Sequence, residues 1–218
     1  MWDWTYTFEV LPHLFKAAGV TIEAAALSFA IAATLGLALA ILRMVSPTLS
    51  WPVALLVEIV RSTPLLIQIF FMYFALPQFG ITLDSLTVGV LGIGVHYAAY
   101  CSEVYRAGFE NIQRGQWEAS TALNLSLTTA IRVVILPQAI VPIVPALGND
   151  LIAIFKATPI LSVIAVLELM ETAKTLGSES FRYIEPITLV GLFFLAMSLS
   201  SAAAIRYAER AVNRRIAR

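Results

Sequence analysis

Residues 110–137 read ENIQRGQWEASTALNLSLTTAIRVVILP and form a polar insert between strongly apolar segments. Charged side chains recur through this insert, among them Glu110, Arg114 and Arg132. Placing so many polar groups in hydrocarbon carries a large desolvation penalty for each unpaired group. We therefore expect the insert to lie in water or against another protein, as a hairpin between two membrane spans.

The first half of the insert has helix-compatible residues over 115–123. Trp117 and Leu123 could form an apolar side of this helix, and Ala119 and Ser120 keep one patch small. Small side chains allow the backbone or an aromatic ring of a partner to approach closely. The composition therefore predicts a docking surface for another protein, and a plain cytoplasmic turn is the alternative.

The second half of the insert predicts a sharp turn followed by a second helix. Asn124 is placed to turn the chain because Asn tolerates the left-handed conformation better than other non-glycine residues. Ser126 is a candidate N-cap for a helix through Val134. Pro137 lacks an N–H and clashes with the preceding turn, so we expect the helix to end there.

The composition of the whole chain is that of an integral membrane protein. Of 218 residues, 59% are hydrophobic and 13% are charged, whereas soluble domains have about 25% charged residues. The net charge is zero, so no basic field indicates a nucleic-acid partner. A single cysteine, Cys101, excludes an intrachain disulfide, and no Cys/His spacing indicates a metal or cofactor site.

The apolar segments predict an all-α single domain over residues 1–218 with five transmembrane helices, each able to cross a core of about 30 Å. An interfacial aromatic segment precedes the first span, and an interfacial helix to about Arg61 precedes the second. The predicted spans are about 20–42, 63–76, 86–108, 138–155 and 186–205, with the polar loop at 110–137 and a re-entrant outer segment at 156–185.

Positive charges orient this topology, because cytoplasmic loops carry an excess of Lys and Arg. With the insert and the C-terminus inside, ten of the 14 basic residues are cytoplasmic. These are Arg43, Arg61, Arg106, Arg114, Arg132, Arg206, Arg210, Arg214, Arg215 and Arg218, against Lys16, Lys156, Lys174 and Arg182 outside. The N-terminus is therefore expected outside.

Polar residues within or beside the spans are candidates for a translocation path, since such residues are costly in lipid. Each also has a structural alternative, such as hydrogen bonding between helices, an ion pair that anchors a span, or a snorkelling Lys. His13 and His96 have no partner visible in the sequence and are interpreted as packing or interfacial. The candidates are Arg61, Thr63, Gln68, Tyr97, Glu103, Arg106, Asn149, Asp150, Lys156 and Thr158.

The insert resembles the EAA loop, EAA-x3-G-x9-I-x-L-P, of permease subunits of bacterial ATP-binding cassette importers. Ser120, Asn124 and Val134 replace Ala, Gly and Ile of that motif, and the spacing is kept throughout. Three other segments, at 61–68, 97–106 and 161–166, resemble the polar amino acid uptake branch of the same family. The anchors of the loop are Glu118, Ala119, Ser120, Asn124, Val134, Leu136 and Pro137.

This resemblance implies a type I importer permease fold that transports a polar amino acid or a related zwitterion such as ectoine. It implies a cytoplasmic pair of ATP-binding subunits, a second identical or homologous permease subunit, an external solute-binding protein and the lipid bilayer as partners. Coupling to the ATPase would fall to Gly115, Glu118, Ala119, Ser120, Asn124, Leu127 and Pro137.

The chain itself has no G-x4-G-K-[ST] phosphate loop, so ATP would be hydrolysed on a separate subunit. Two other functional classes remain open. A channel or secondary transporter would work without an ATPase, although no internal repeat supports it. A membrane enzyme would need a nucleophile with a base or a metal set, and the sequence offers none.

Overall fold

The computed structural model describes the backbone of residues 2–216 and the side chains of residues 2–211. This part of the chain is helical and contains no strand. The helices are α1 (Trp4–Val45), α2 (Pro47–Ser62), α3 (Leu65–Phe70), α4 (Ser85–Glu110), α5 (Arg114–Ala122), α6 (Leu127–Ala130), α7 (Leu136–Ala157), α8 (Leu169–Ser180) and α9 (Ile184–Ile216). π-Helical turns lie at Phe71–Ala75 and Ile131–Ile135, and 3-10 turns at Leu76–Phe79 and Thr158–Ile164.

Helix α1 begins much earlier than the predicted first span. The carboxylate of Asp3 accepts hydrogen bonds from the N–H groups of Thr5 and Tyr6 and so caps a helix of 42 residues. At 1.5 Å per residue this helix is about 63 Å long, about twice the thickness of the hydrocarbon core. The expected interfacial segment is therefore the first part of α1, and the predicted span covers only its second half.

A break separates α2 from α3, where the sequence predicts the change from an interfacial helix to the second span. Pro64 disfavours helical geometry at the preceding residue, and Thr63 is extended there, with φ −100° and ψ 132°. The chain bends by 99° between α2 and the helical segment that follows. The side-chain amide of Gln68 donates to the carbonyls of Val60 and Thr63, at 2.8 and 3.2 Å, and thereby bridges the two sides of the break.

The prediction that a helix ends at Pro137 is wrong. Helix α6 continues through the π-helical turn into α7 without a break, and Pro137 lies in the first turn of α7. A π-helical turn inserts an extra residue, which moves the preceding carbonyls away from the proline ring. The polar hairpin is therefore joined to the fourth predicted span by one continuous helix.

By length and apolarity, three segments of the described chain could cross a membrane: Trp4–Val45, Leu127–Ile164 and Ile184–Ala211. The bent pair of α2 and the segment after it makes a fourth. Helix α4 has 26 residues, or about 39 Å, so it is long enough to cross but more polar. A fifth crossing by α4 stays a prediction.

The core lies between α4 and the helices on either side of it. Ile31 of α1 packs onto Gly94 so closely that a Cβ at Gly94 would lie 2.9 Å from its side chain. At the other end of α4, Gly108 faces Ile143 and Ala139 of α7. The glycines therefore allow α4 to contact both α1 and α7 at short range.

The segment after α7 packs against the start of α1. The backbone N–H of Leu169 donates to Oγ1 of Thr21, at 3.2 Å. Further along α8, the hydroxyl of Tyr6 donates to the carbonyl of Leu176, at 3.0 Å, and lies 2.6 Å from Oγ of Ser180. This part of the chain lies within residues 156–185, which we call the outer segment after their predicted location; that location and the re-entrant path stay predictions.

Candidate coupling hairpin and translocation path

The turn of the polar hairpin forms where the sequence predicts it. Asn124 is left-handed, with φ 56°, directly after the end of α5. The N–H of Asn124 donates to the carbonyl of Thr121, at 2.9 Å, and the N–H of Leu125 donates to that of Ser120, at 3.1 Å. This pair of bonds is a Schellman motif, which satisfies the last carbonyls of α5.

The second helix of the hairpin is capped by Ser126, which confirms that prediction. Its hydroxyl oxygen accepts the N–H of Thr129, at 3.3 Å, and lies 2.8 Å from the hydroxyl of the same residue. Both ends of the turn are therefore satisfied by bonds within the hairpin.

The hairpin exposes apolar side chains in a polar segment. Leu123 is 73% exposed and Leu127 is 68% exposed. Gly115, Glu118 and Ala119 are exposed on the preceding helix. Exposed leucines on a capped hairpin form a surface that another protein could cover.

Ser120 is buried, whereas the sequence analysis expected it on the small patch open to a partner. It is 4% exposed, and its hydroxyl donates to the carbonyl of Gln116, at 2.8 Å. The small patch available to a partner therefore contains Ala119 but not Ser120, whose small size serves packing within the chain.

A glutamine that sequence reasoning missed ties the hairpin to α7. The amide nitrogen of Gln138 donates to Oε1 of Gln116, at 3.1 Å, and to the carbonyl of Val134, at 2.7 Å. Nothing in the local sequence indicates this contact, because the two glutamines are 22 residues apart.

The predicted ion pair between Glu103 and Arg106 is confirmed, with Nη2 of Arg106 2.6 Å from Oε2 of Glu103. Arg106 also pairs with Glu110, and Arg43 of α1 pairs with Glu103. The Arg43 contact was not predicted, since it joins residues 60 positions apart. These partly buried charges anchor the end of α1 to α4, which favours the structural alternative for Glu103 and Arg106.

A second polar cluster lies about two turns earlier on α4. Nδ1 of His96 is 3.2 Å from Oε1 of Gln68, so the ring donates at Nδ1 if the amide oxygen accepts. The rings of Tyr97 and Tyr100 lie 5.4 and 5.3 Å from the His96 ring. The guanidinium of Arg61 lies 5.2 Å from the centre of the Tyr100 ring.

This cluster contains three of the predicted path residues, Arg61, Gln68 and Tyr97. It also contains His96 and Tyr100, neither of which the sequence analysis proposed for the path. His96 was interpreted as a lone residue, and its partner is Gln68. The available signal was periodic: positions 96, 97 and 100 share helical spacing on α4.

Asp150 of α7 faces α4 next to this cluster. Its Oδ2 lies 3.6 Å from Sγ of Cys101, which is fully buried. A thiol is a weak donor and carries no compensating charge, so this contact leaves the carboxylate poorly paired. Asn149 is exposed, and Asp150 is only partly buried.

Three other candidates stand apart from this cluster. Thr158 is fully buried and donates to the carbonyl of Phe155, at 2.8 Å, which favours a structural role within its own turn. Thr63 donates to the carbonyl of Ile59, at 2.7 Å, and borders an apolar groove of about 550 Å³. Lys156 borders a different groove of about 410 Å³ between α7 and α9.

Glu168 is a buried carboxyl that the sequence did not single out. It is fully buried, caps α8, and accepts the N–H groups of Met170 and Glu171, both at 2.9 Å. Burial raises its pKa to about 7, although the two N–H groups act in the opposite direction. The buried carboxyl therefore keeps its proton to a higher pH than an exposed glutamate does.

The family model for binding-protein-dependent transport system inner membrane components matches residues 32–214. The chain belongs to this family. The permease is thus a membrane-embedded subunit without enzymatic activity of its own, and ATP hydrolysis belongs to a separate subunit. Transporters of this kind also work with a substrate-binding protein.

Curated relatives cover nearly the whole permease. It is 40% identical over 205 residues to a probable amino-acid ABC transporter permease protein of Sinorhizobium fredii, covering 94% of this chain and 89% of the relative. It is 33% identical over 211 residues to the glutamine transport system permease protein of Escherichia coli, with 95% and 96% covered. It is 30% identical to an arginine transport system permease protein of Bacillus subtilis, with 98% and 97% covered.

Solved structures confirm the type I importer permease fold. A chain of a crystal structure of an amino acid ABC transporter with histidines superposes with a TM-score of 0.89, at 32% identity, covering 96% of this chain and 99% of that chain. A chain of an inward-facing methionine ABC transporter gives a TM-score of 0.79 at 21% identity, which is a likeness of fold.

These matches decide between the open alternatives. A multi-pass inner-membrane permease that works with an ATPase replaces the channel or secondary transporter and the membrane enzyme.

Proposed function

We propose that this permease forms a translocation path for polar amino acids or a related small zwitterion such as ectoine. The relatives named for amino acids, glutamine and arginine support this substrate class. The polar cluster on α4 and the neighbouring Asp150 of α7 support it as well, because together they offer both signs of charge: Arg61 lies over Tyr100, and Asp150 contacts the next residue, Cys101. The carboxylate of a zwitterion would pair with Arg61, and its ammonium would pair with Asp150.

The path in this proposal is centred on Arg61, Gln68, Tyr97 and Asp150, with Asn149 beside them. Thr63 and Lys156 lie at the border of this path. Glu103 and Arg106 stabilise its inner end. Thr158 is left out because it is buried in its own turn.

The hairpin is the coupling element of this proposal. Residues 115–127 dock into a groove of the ATP-binding subunit, and movement of that subunit swings the helices on either side of the hairpin as rigid bodies. The observation that carries this proposal is the exposure of Leu123 and Leu127 on a hairpin whose turn is closed by its own hydrogen bonds. Pro137 acts through the continuous helix rather than by contact with the partner.

The proposed assembly contains two permease subunits, identical or homologous, on a pair of ATP-binding subunits, with a solute-binding protein outside. Five crossings place the N-terminus outside and the C-terminus in the cytoplasm. The pairing of Arg182 with Asp3 and of Arg43 with Glu103 supports the predicted separation of outer and inner basic residues. Arg214 and Arg215 lie beyond the described side chains, and Arg218 lies outside the described residues.

The coupling role is tested by Ala119→Arg, which places a long charged side chain on the exposed patch of α5. We expect uptake into proteoliposomes that hold the complete transporter to fall at least about tenfold, because the hairpin can no longer enter its groove. Membrane insertion should be unchanged. Gln78→Arg, at an exposed position in the 3-10 turn after the second span, is the matched control for an added charge. Normal coupled uptake by the Ala119→Arg transporter would remove the docking role.

The substrate class is tested by purifying the complex from native membrane with its binding protein and screening that protein against small solutes. Binding of amino acids or a similar zwitterion is expected. A binding protein that takes only sugars or metal ions would contradict the proposed substrate.

The orientation is tested by protease mapping of the hairpin. Cleavage of the hairpin from the outer face would contradict the proposed orientation.

A further inference from the structure

One hydrogen bond joins the coupling hairpin to α7. The amide nitrogen of Gln138 has two protons, and the structure uses both, one for Oε1 of Gln116 on α5 and one for the carbonyl of Val134. Among the side chains that the structure describes, this is the only side-chain hydrogen bond that links α5 to another helix. The amide therefore lies at the one directional contact between the two helices.

Gln116 is itself held in place on α5. Its carbonyl accepts the hydroxyl of Ser120, a residue that is 4% exposed. The side chain of Gln116 thus projects from a turn that is packed against the rest of the chain. A displacement of α5 would displace the acceptor of the bond with it.

On the α7 side, Gln138 lies where the helix is least regular. The π-helical turn Ile131–Ile135 comes directly before it, and Pro137 is its neighbour in sequence. The next residue, Ala139, is fully buried, and its carbonyl lies 3.3 Å from the point where a Cβ would stand on Gly108 of α4. The start of α7 is thus packed against α4 and hydrogen-bonded to α5.

We propose that Gln138 is a positioning residue of the transport cycle, whose amide carries movement of α5 directly into α7. This inference rests on the proposed coupling role of the hairpin. Without the amide bond, α5 could move while the π-helical turn absorbs the displacement, because irregular turns bend more readily than α-helix. Helix α7 carries Asp150 further along, so the bond lies between the ATPase dock and the proposed path.

The first measurement is the number of solute molecules transported per ATP hydrolysed by the complete transporter in proteoliposomes. For Gln138→Leu we expect this ratio to fall about fivefold, the effect of one ordinary hydrogen bond, while ATP hydrolysis and co-purification of the ATP-binding subunits persist. Gln78→Leu removes an exposed amide elsewhere and should keep the wild-type ratio. Gln116→Leu deletes the same bond from the α5 side and spares the Val134 contact, which covers the case that Gln138→Leu does not assemble.

The direction of the bond allows a sharper test. Gln116→Glu keeps an oxygen acceptor and should keep the ratio near its wild-type value. Gln138→Glu replaces the donor by a carboxylate and should lower the ratio as Gln138→Leu does. The double variant Gln116→Leu with Gln138→Leu should have the same ratio as Gln138→Leu alone. The Gln116–Gln138 bond is already lost in Gln138→Leu, so the second change removes nothing further.

Three results would overturn the inference: an unchanged ratio in Gln116→Leu, equal effects of the two glutamate variants, or additive effects in the double variant. A residue that only stabilises the fold would lower uptake and ATP hydrolysis together and leave the ratio unchanged. If Ala119→Arg uncouples the transporter while the glutamine variants do not, the Gln138 inference alone fails. If Ala119→Arg has no effect, the proposed coupling role itself fails.

Discussion

The polar hairpin and the segment after α7 both consist of short helical pieces, yet their tertiary contacts differ. The hairpin is closed by hydrogen bonds between residues at most five positions apart, such as Leu125 with Ser120 and Thr129 with Ser126. The outer segment is held by residues 148 or more positions away, such as Thr21 and Tyr6. The hairpin turn thus depends on bonds within its own sequence, whereas the outer segment adds bonds to α1 to local bonds of its own, such as that from the Val166 N–H to the Leu161 carbonyl.

Local backbone hydrogen bonds close the left-handed turns of both regions, but the residue types at these turns differ. In the hairpin this conformation falls on Asn124, which tolerates it through local polar contacts. In the outer segment it falls on Ala165 and Phe181, with φ 57° and 55°. Such residues persist only where surrounding packing imposes the conformation. Phe181 is also 90% exposed, so it is the backbone and not a buried ring that is constrained there.

The largest difference between the two regions should be in their response to pH. Burial raises the pKa of Glu168 to about 7 from the ordinary value of 4.5, so the carboxyl binds its proton more tightly in the folded segment. Its stabilising contribution is complete below about pH 4.5 and is lost as the pH rises through about 7, by about 3 kcal/mol in all. Hydrogen exchange corrected for the intrinsic rate should show α8 opening more readily at pH 8 than at pH 5.

The matched variant for this measurement is Glu168→Gln, which has no titrating group. It should flatten the pH dependence of α8, and the amides of α5 serve as the internal reference in both proteins. An α8 whose opening free energy does not change between pH 5 and pH 8 would contradict the buried carboxyl.

A smaller effect on stability should come from the residue type at the hairpin turn. Asn124→Val puts a β-branched residue in the left-handed conformation and should destabilise the hairpin by about 1–2 kcal/mol. Asn124→Gly should leave its stability nearly unchanged, because glycine adopts this conformation freely. Hydrogen exchange of α5 reports both. Equal stability of the Val and Gly variants would mean that tertiary packing, rather than residue 124, sets the turn.

The smallest effect should come from the outer segment, with the opposite sign. Ala165→Gly relieves a left-handed alanine and should stabilise the folded segment by up to about 1 kcal/mol, less the greater freedom that glycine gives the unfolded chain. Thermal unfolding of the purified permease, with exchange of the neighbouring α8 amides, measures this. Ala157→Gly, at the last residue of α7 in a right-handed conformation, is the control and should destabilise. A loss of stability in Ala165→Gly would show that the alanine is not strained.

Much of the fold could be predicted from the sequence. The apolar segments, the end of a helix near Arg61, the turn at Asn124 and the cap at Ser126 all depend on neighbouring residues, and all are present. The ion pair of Glu103 with Arg106 spans three residues and was also predictable. The early start of α1 and the passage of the helix through Pro137 were not, because a distant surface or a local π-helical turn can outweigh the preference of a single residue.

The sequence by itself determined that this is a helical membrane protein with a polar, self-capped hairpin, because composition and short-range hydrogen bonds are properties of neighbouring residues. Only the tertiary structure decided which polar side chains meet: Gln138 with Gln116, Gln68 with His96, and Arg43 with Glu103. Each pair joins residues 22 to 60 positions apart, and a contact at that range depends on how helices pack, which no local pattern encodes.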